Sequence, residues 1–495
     1  MTTPGTSRRI TPGAPTSAEH ARRVRAARPT RDERAAAGKA IRGVMPLADH
    51  REINTGARAD PVDLLESQAA QRVPQLVPIR YGRMLATPFT FFRGGALIMA
   101  ADLGSLPHSG LTVQLCGDAH LSNFGFYTTP ERNQAFDIND FDETYPGPFE
   151  WDVKRLAASV AVASLTGGFS RKKARSAALD TVTGYRQEIR RLAPLGNLDV
   201  WYSHQDMTRL LRDIRKQVGT AAEKNLSAGL AKARYRDSND AIRKLCVTVD
   251  GQVQIKNDPP LIVPGEELLG AWGEDVEAWY AQLEGIIAAY RDSLQSDRRH
   301  LFDQFAFVQL GFKMVGVGSV GTRAYILLMD GANGADPLVL QAKEAQRSVL
   351  VDYVGADLVG AVGAQDNQGE RVVHGQRLTQ MTSDIFLGWQ RVAGIDGRDR
   401  DFYVRQLRDG KGSVVVEQLD PAGMVFYGRL CGQTLARAHA RSGDRMAIAA
   451  YLGGSAVFDN AVADFAMAYA EQNDADHAAL RAAATQGRIF AREGI

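Results

Sequence analysis

A chain of 495 residues exceeds what one hydrophobic core usually organises, so two lobes or domains with insertions are expected. Its composition is globular, and a net charge of +2 gives no general electrostatic case for a nucleic-acid or membrane partner. No run approaches the roughly 18 apolar residues of a membrane helix, no apolar signal core opens the chain, and three scattered cysteines (Cys116, Cys246, Cys431) point to a reducing, cytoplasmic setting.

Residues 1–45, rich in Arg, Pro, Ser and Thr, read as a disordered basic arm with a short helix near 31–42. A helical run through VDLLESQAAQRVPQLVPIR then leads to FTFFRGG, whose aromatic, β-prone character and terminal glycine pair predict a strand. Arg80, Arg83 and Arg93 have planar forks suited to anionic oxygens, although surface or ion-paired roles are the default. Arg93, set among apolar residues before Gly94-Gly95, is the best placed of the three.

The most informative stretch is Leu115–Asp142, LCGDAHLSNFGFYTTPERNQAFDINDFD. Asn123 follows Asp118 by five residues, and Asp140 arrives 22 residues after Asp118. Each acidic cluster closes a stretch with strand character. Phosphoryl transfer to a hydroxyl needs a carboxylate to orient the nucleophile, and an amide with a second carboxylate to hold Mg²⁺, a hard cation that prefers oxygen. Asp118 suits the first role and Asn123 and Asp140 the second, with Asp142 as a further metal ligand. His120 either touches phosphate or fills the loop, and Asp137 faces the other side of its strand or satisfies loop amides. The plain alternative is that these are turn and capping residues. Cys116 reads as a small buried apolar residue. Glu150–Leu165 follows as an amphipathic helix behind Pro148, with Asp152 near its start as support for the site.

Helices are expected at 171–193, 204–245 and 272–297, interrupted by the hairpin VTVDGQVQIKNDPPLIVP turning at Asp250-Gly251. Phe305–Ala345 then places Gly316, Gly318 and Gly321 in a G-x-G-x-x-G, together with Ser319, between two β-patterned segments. A dinucleotide loop needs a helix after it, whereas TRAYILLMDG reads as a strand. Strand, glycine loop and strand resemble the kinase arrangement that covers phosphates, and the strand PLVLQAKEA places Lys343 where a kinase-like phosphate-binding lysine would lie. Glu344 points to the opposite face, so the acidic partner of Lys343 stays open among Glu370, Gln376, Arg377, Gln380 and Asp384. DRDFYVRQLRDGKGSV reads as strand and turn, with Arg405 and Arg408 in ion pairs by default. From Pro421 the chain is helical, with His439 packed inside.

D-x₄-N followed by D-F-x resembles the catalytic loop and metal-binding aspartate of the protein-kinase-like superfamily, especially its aminoglycoside and choline phosphotransferase branch. GPFEWDVKRLA resembles the helix that follows in that branch. Taken with GDAHLSNFG, FDINDFDET and the glycine-rich segment, the chain from about residue 50 resembles the bacterial domain of unknown function 2252. The resemblance implies an α+β, kinase-like bilobal fold in which the catalytic-loop lobe precedes the glycine-loop lobe. The regions would be 46–300, with a helical insertion at about 170–297, then 301–420 for the nucleotide and 421–495 completing the first lobe. The expected activity is transfer of phosphate from ATP, with Mg²⁺, to a small-molecule hydroxyl, a protein serine being the competitor. The alternatives are a nucleotide-binding pseudokinase or scaffold, and a metal-dependent phosphoesterase built on Asp118, His120, Asp137, Asp140 and Asp142. Scattered histidines count against the last.

Overall fold

The computed structural model describes residues 29–54, 56, 58–220, 224, 227, 238–272, 276–314, 320–331, 336–355, 358, 366–393, 398–407 and 412–494, and the protein is α+β. It begins with α1 (Arg31–Ile41), where Thr30 accepts from Glu33 N and the Glu33 carboxylate returns to Thr30 N. This end of the expected disordered arm is ordered and docked, because Arg42 donates to the carbonyls of Ala450 and Tyr451. Residues 1–28 lie outside the described residues.

Four short helices follow: α2 (Pro61–Ala69), α3 (Val77–Leu85), α4 (Pro88–Gly94) and α5 (Ala96–Gly104). FTFFRGG is therefore helix, not the expected strand. Thr87 caps it by accepting from Thr90 N at 3.1 Å, and Pro88 occupies a first-turn position that needs no amide. These local signals outweigh β propensity because Phe89, Phe91 and Phe92 all reach buried positions from the helix.

Two antiparallel pairs come next, β1 (Thr112–Leu115) with β4 (Tyr145–Pro148) and β2 (Phe124–Thr128) with β3 (Gln134–Ile138). They lead into α6 (Phe149–Thr166), buried along nearly its whole length, and α7 (Arg171–Leu192). The hairpin of β5 (Cys246–Val249) and β6 (Gln252–Ile255) turns at Asp250-Gly251 as its sequence predicts.

The remaining strands are β7 (Ile262–Pro264), β8 (Ala306–Lys313), β9 (Ala324–Asp330), β10 (Pro337–Glu344), β11 (Gly388–Ala393) and β12 (Asp399–Gln406). They form one antiparallel sheet in the order β11-β12-β10-β9-β8-β7. Helix α8 (Val276–Asp292) lies before β8, and α9 (Gln368–Thr379) before β11. Both faces of β9 are covered. Ile326 and Leu328 join Leu245, Ile255 and Val339, while Leu327 and Met329 join Tyr290, Phe302 and Leu340. Double coverage explains why AYILLM is continuously apolar instead of alternating.

α10 (Pro421–Ser442), α11 (Arg445–Leu452) and α12 (Val457–Thr485) end the chain and build the main apolar core with α6 and α7. α10 meets α7 so closely that a Cβ at Gly432 would stand 2.2 Å from the Thr181 carbonyl oxygen. Of the stretch expected as a helical insertion, α7 is built into this core and β7 into the six-stranded sheet. Among the described residues no single helix is long and apolar enough to cross a membrane.

Candidate functional site

Strand pairing explains how the two acidic clusters meet. β2 begins directly after Asn123 and β3 ends directly before Asn139, with Phe124 opposite Ile138. Both clusters therefore leave the same end of the hairpin, and Asn139 N donates to Asn123 O at 2.8 Å. Leu115 opposite Tyr145 likewise brings Cys116–Asp118 beside Asp142–Thr144. The approach is tight: Gly117 sits at φ +84°, and a Cβ there would lie 2.1 Å from the Glu143 carbonyl oxygen. Asp152, in the first turn of α6, fixes this backbone by accepting from Cys116 N at 2.8 Å and Gly117 N at 3.0 Å. His439 stands 3.2 Å from the same carboxylate and is also hydrogen-bonded to the Tyr185 hydroxyl, a packed role as expected.

The sheet supplies the opposite wall. Register pairs Lys343 with Tyr403 and Gln341 with Arg405, so all four share one face. Lys343 Nζ is bonded to the Asp142 carboxylate and lies 3.9 Å from Asp140 Oδ2. The Tyr403 hydroxyl donates to Asp142 Oδ1 at 2.7 Å, and Arg405 Nη1 to Asn139 O at 3.2 Å. Glu344, on the other face, meets Arg323 and Arg400. The lysine's acidic partner is thus Asp142 from the loop itself. Glu370 faces His374, Arg377 donates to Leu387 O, Gln376 to Gln380, and Asp384 accepts from Phe386 N, so none of these candidates bonds Lys343.

A cavity of about 290 Å³ brings together Asp118, His120, Asn123, Asp140, Asp142 and Lys343. Asp118 Oδ1 accepts from Arg155 Nε at 2.9 Å and forms an ion pair with Nη2 at 2.8 Å, and 18% of its side chain remains exposed. Asn123 Nδ2 donates to Asp118 O at 2.8 Å, which leaves its amide oxygen as the end available to a cation. Gly321 ends the glycine segment at φ +93°, its carbonyl accepting from Val73 N. Gly316, Gly318 and Ser319 lie outside the described residues.

Electrostatics differ sharply across this small space. Burial opposes charge on Lys343, but Asp140 and Asp142 outweigh it and raise its pKa. Burial, then the neighbouring Asp142, raises Asp140. Burial also pushes Asp142 upward, yet Lys343 overrides this and lowers it. Burial carries Glu143 up to about 7 and His120 down to about 4, so His120 is a neutral imidazole at physiological pH. Its Nδ1 is buried with no hydrogen-bond partner among the described residues.

Among the described residues no group of three or more His, Cys, Asp or Glu is arranged to hold a metal ion. Asn123, Asp140 and Asp142 instead form a mixed amide–carboxylate oxygen set. This fits Mg²⁺, which keeps waters and takes its remaining ligands from substrate phosphates. Asp140 exposes 31% of its side chain, whereas Asp142 is held by Lys343 and Tyr403.

Several residues of the site were not anticipated. Arg371 on α9 donates to Thr144 O at 2.6 Å, Asp142 O at 2.9 Å and Gln346 O at 2.8 Å, stapling the acidic loop to the exit of β10. Tyr403 had a signal, since it alternates with Arg405 on the inward face of DRDFYVRQ. Arg72, Arg155 and Arg371 had none, because arginine ordinarily marks exposed surface. The default surface reading of Arg80 and Arg93 is corrected as well: Arg80 is fully buried and both line the cavity.

Fold and site together define an α+β protein in which a sheet lysine and two acidic loops share one charged cavity. The chain belongs to DUF2252, described as an uncharacterized protein conserved in bacteria and matched over residues 72–483. No curated protein and no solved structure matches it.

Proposed function

We propose that the protein is an ATP-dependent phosphotransferase with a kinase-like bilobal fold of reversed lobe order, acting on the hydroxyl of a small molecule. The observation that carries this reading is the contact between Lys343 and Asp142, 201 residues apart in sequence, in the cavity that also holds Asp118. Six cationic side chains face four acidic ones around that cavity, an excess suited to a polyanion.

In this reading Asp118 orients the acceptor hydroxyl and takes its proton. The acceptor oxygen forms a bond to the γ-phosphorus as the bond from γ-phosphorus to the β–γ bridging oxygen breaks, and the electron pair leaves with ADP. Arg155 holds the Asp118 carboxylate in place. A loose transition state, in which the hydroxyl proton departs late, asks for position more than for a strong base. Lys343 binds phosphate oxygens. Asn123, Asp140 and Asp142 would hold Mg²⁺, which when bound neutralises charge on the β- and γ-oxygens. The work is positioning and charge stabilisation.

ADP release over a library of hydroxylated metabolites tests the proposal. Transfer by wild type and near-complete loss in Asp118→Ala and Asp140→Ala are expected, and activity of Asp140→Ala within a few-fold of wild type removes its metal role. A pseudokinase is favoured by the tie between Lys343 and Asp142 in place of a helix glutamate. It predicts ATP binding with no transfer to any acceptor. Cleavage of simple phosphomonoesters without ATP would point to a phosphoesterase.

A further inference from the structure

Five of the six cations around the cavity fall into two sets. Lys343 and Arg405 lie with Asp140 and Asp142, which raise the pKa of both. Arg72, Arg80 and Arg93 have no carboxylate within ion-pair distance among the described residues. Arg80 is completely buried, and its Nη2 donates to Gln68 Oε1 at 2.5 Å and to Gly94 O at 3.1 Å. Its Nε and Nη1 have no partner among the described residues, and neither do Arg72 Nε and Arg93 Nε. Arg72, 6% exposed, donates from Nη1 to Val320 O. Arg80 is thus held between α3 and α4, and Arg72 against Val320, while Arg93 is half-buried at the end of α4.

A buried guanidinium with unmatched donors is destabilising unless an anion answers it. The local field agrees. Burial pushes Arg72 down to about 10, and burial followed by repulsion from Arg72 lowers Arg80 further below its usual range. Guanidinium does not lose its proton in proteins, so these directions register a site short of negative charge. The cluster is also asymmetric within the cavity. The acidic neighbours Arg93 feels are Glu417 and Asp118, and its charge in turn depresses His120. Arg80 joins Arg93 through the carbonyl of Gly94, the next residue along. Arg93 therefore marks the Asp118 side, while Arg72 feels Glu143 and Asp142, and Arg80 stands between the two, repelled by Arg72 and bonded to the Gly94 carbonyl.

Resting on the phosphotransfer reading, we propose that Arg80 and Arg93, backed by Arg72, form an oxyanion cradle for the acceptor, so that the acceptor is a hydroxylated compound already carrying a phosphate or carboxylate. Arg forks take two oxygens of such a group at once, and a neutral alcohol leaves them unanswered. The structure thus assigns selectivity to the α3–α4 wall and chemistry to the loops after β1 and β3.

Matched acceptors test this: neutral polyols and amino alcohols against their phosphomonoester and hydroxy-acid counterparts, read as ADP release with saturating MgATP. The anionic member of a pair should be preferred by about tenfold or more in kcat/KM, the worth of a charge-assisted pair. Arg93→Gln should erase the preference and Arg93→Lys should keep part of it. Equal use of the neutral member, or a preference untouched by Arg93→Gln, overturns the proposal. Calorimetry with inorganic phosphate supplies a readout independent of turnover and of Arg80 variants that fail to fold. Phosphate should bind while a non-hydrolysable ATP analogue is bound, and should not bind Arg93→Gln. Phosphate that competes with the analogue belongs to the nucleotide site and refutes an acceptor cradle, as does phosphate that does not bind. Phosphate binding that needs Arg93, in a protein that transfers nothing from ATP, leaves the anion site standing and sinks the phosphotransfer reading instead.

Discussion

Gly117 shows how one residue constrains the chemistry next to it. Its positive φ and the nearby Glu143 carbonyl leave no room for a methyl group. Gly117→Ala should lose about 1–3 kcal/mol from the conformation alone, more from the overlap, and Asp118 should be displaced with it. A lowered denaturation midpoint together with lost transfer is the expected result. Asp152 works from the other side, and Asp152→Ala orphans the buried amide of Cys116, at about 1–3 kcal/mol, and the half-buried amide of Gly117. His50 offers a residue-scale test outside the site. It is fully buried against Tyr451 and Phe458, and burial first, then Lys154, holds its pKa well below the usual value. The folded protein refuses a proton that the unfolded chain accepts below about pH 6.5, so this contribution to stability is complete above that pH and is lost as pH falls through it. The difference in unfolding free energy between wild type and His50→Gln should therefore shrink on acidification below about pH 6.5. A difference independent of pH contradicts the buried neutral imidazole.

At the scale of elements, α4 carries Arg93 on a seven-residue helix whose N-terminal cap is Thr87. Thr87→Ala should cost about 1 kcal/mol, read from urea midpoints, because Thr90 N loses its acceptor. Elements with strong local patterns were legible in the sequence: the helix after Pro148, the hairpin at Asp250-Gly251, the strand carrying Lys343 and the helices after Pro421 all form. α4 was not, because counting aromatics favours a strand, while a threonine cap and a first-turn proline start a helix. The loop positions of Asp118, Asn123, Asp140 and Asp142 were readable from spacing. The partner of Lys343 was not, because it was sought on a helix and comes from the acidic loop. The arginine wall was invisible for a different reason. Nothing local distinguishes a buried Arg80 from a solvated one, and only the packing of α3 on α4, with Leu76 and Ile79 against Met314 and Val320, creates that environment.

For the whole molecule, what matters is how the sheet is fastened to the helical core. Lys343 and Tyr403 reach Asp142 from β10 and β12, and Arg371 bonds the loop carbonyls from α9. In the proposed enzyme the same Lys343–Asp142 pair must loosen when nucleotide and metal arrive, so binding and the fastening of the sheet draw on one set of groups. The most direct test is equilibrium binding of ATP to wild type, Asp140→Ala and Lys343→Met, each with and without Mg²⁺. Wild type should bind ATP at least about tenfold more tightly with Mg²⁺, Asp140→Ala should lose that dependence, and Lys343→Met should bind weakly in both conditions. Wild type that does not bind ATP, or variants that bind it as wild type does, would contradict the account.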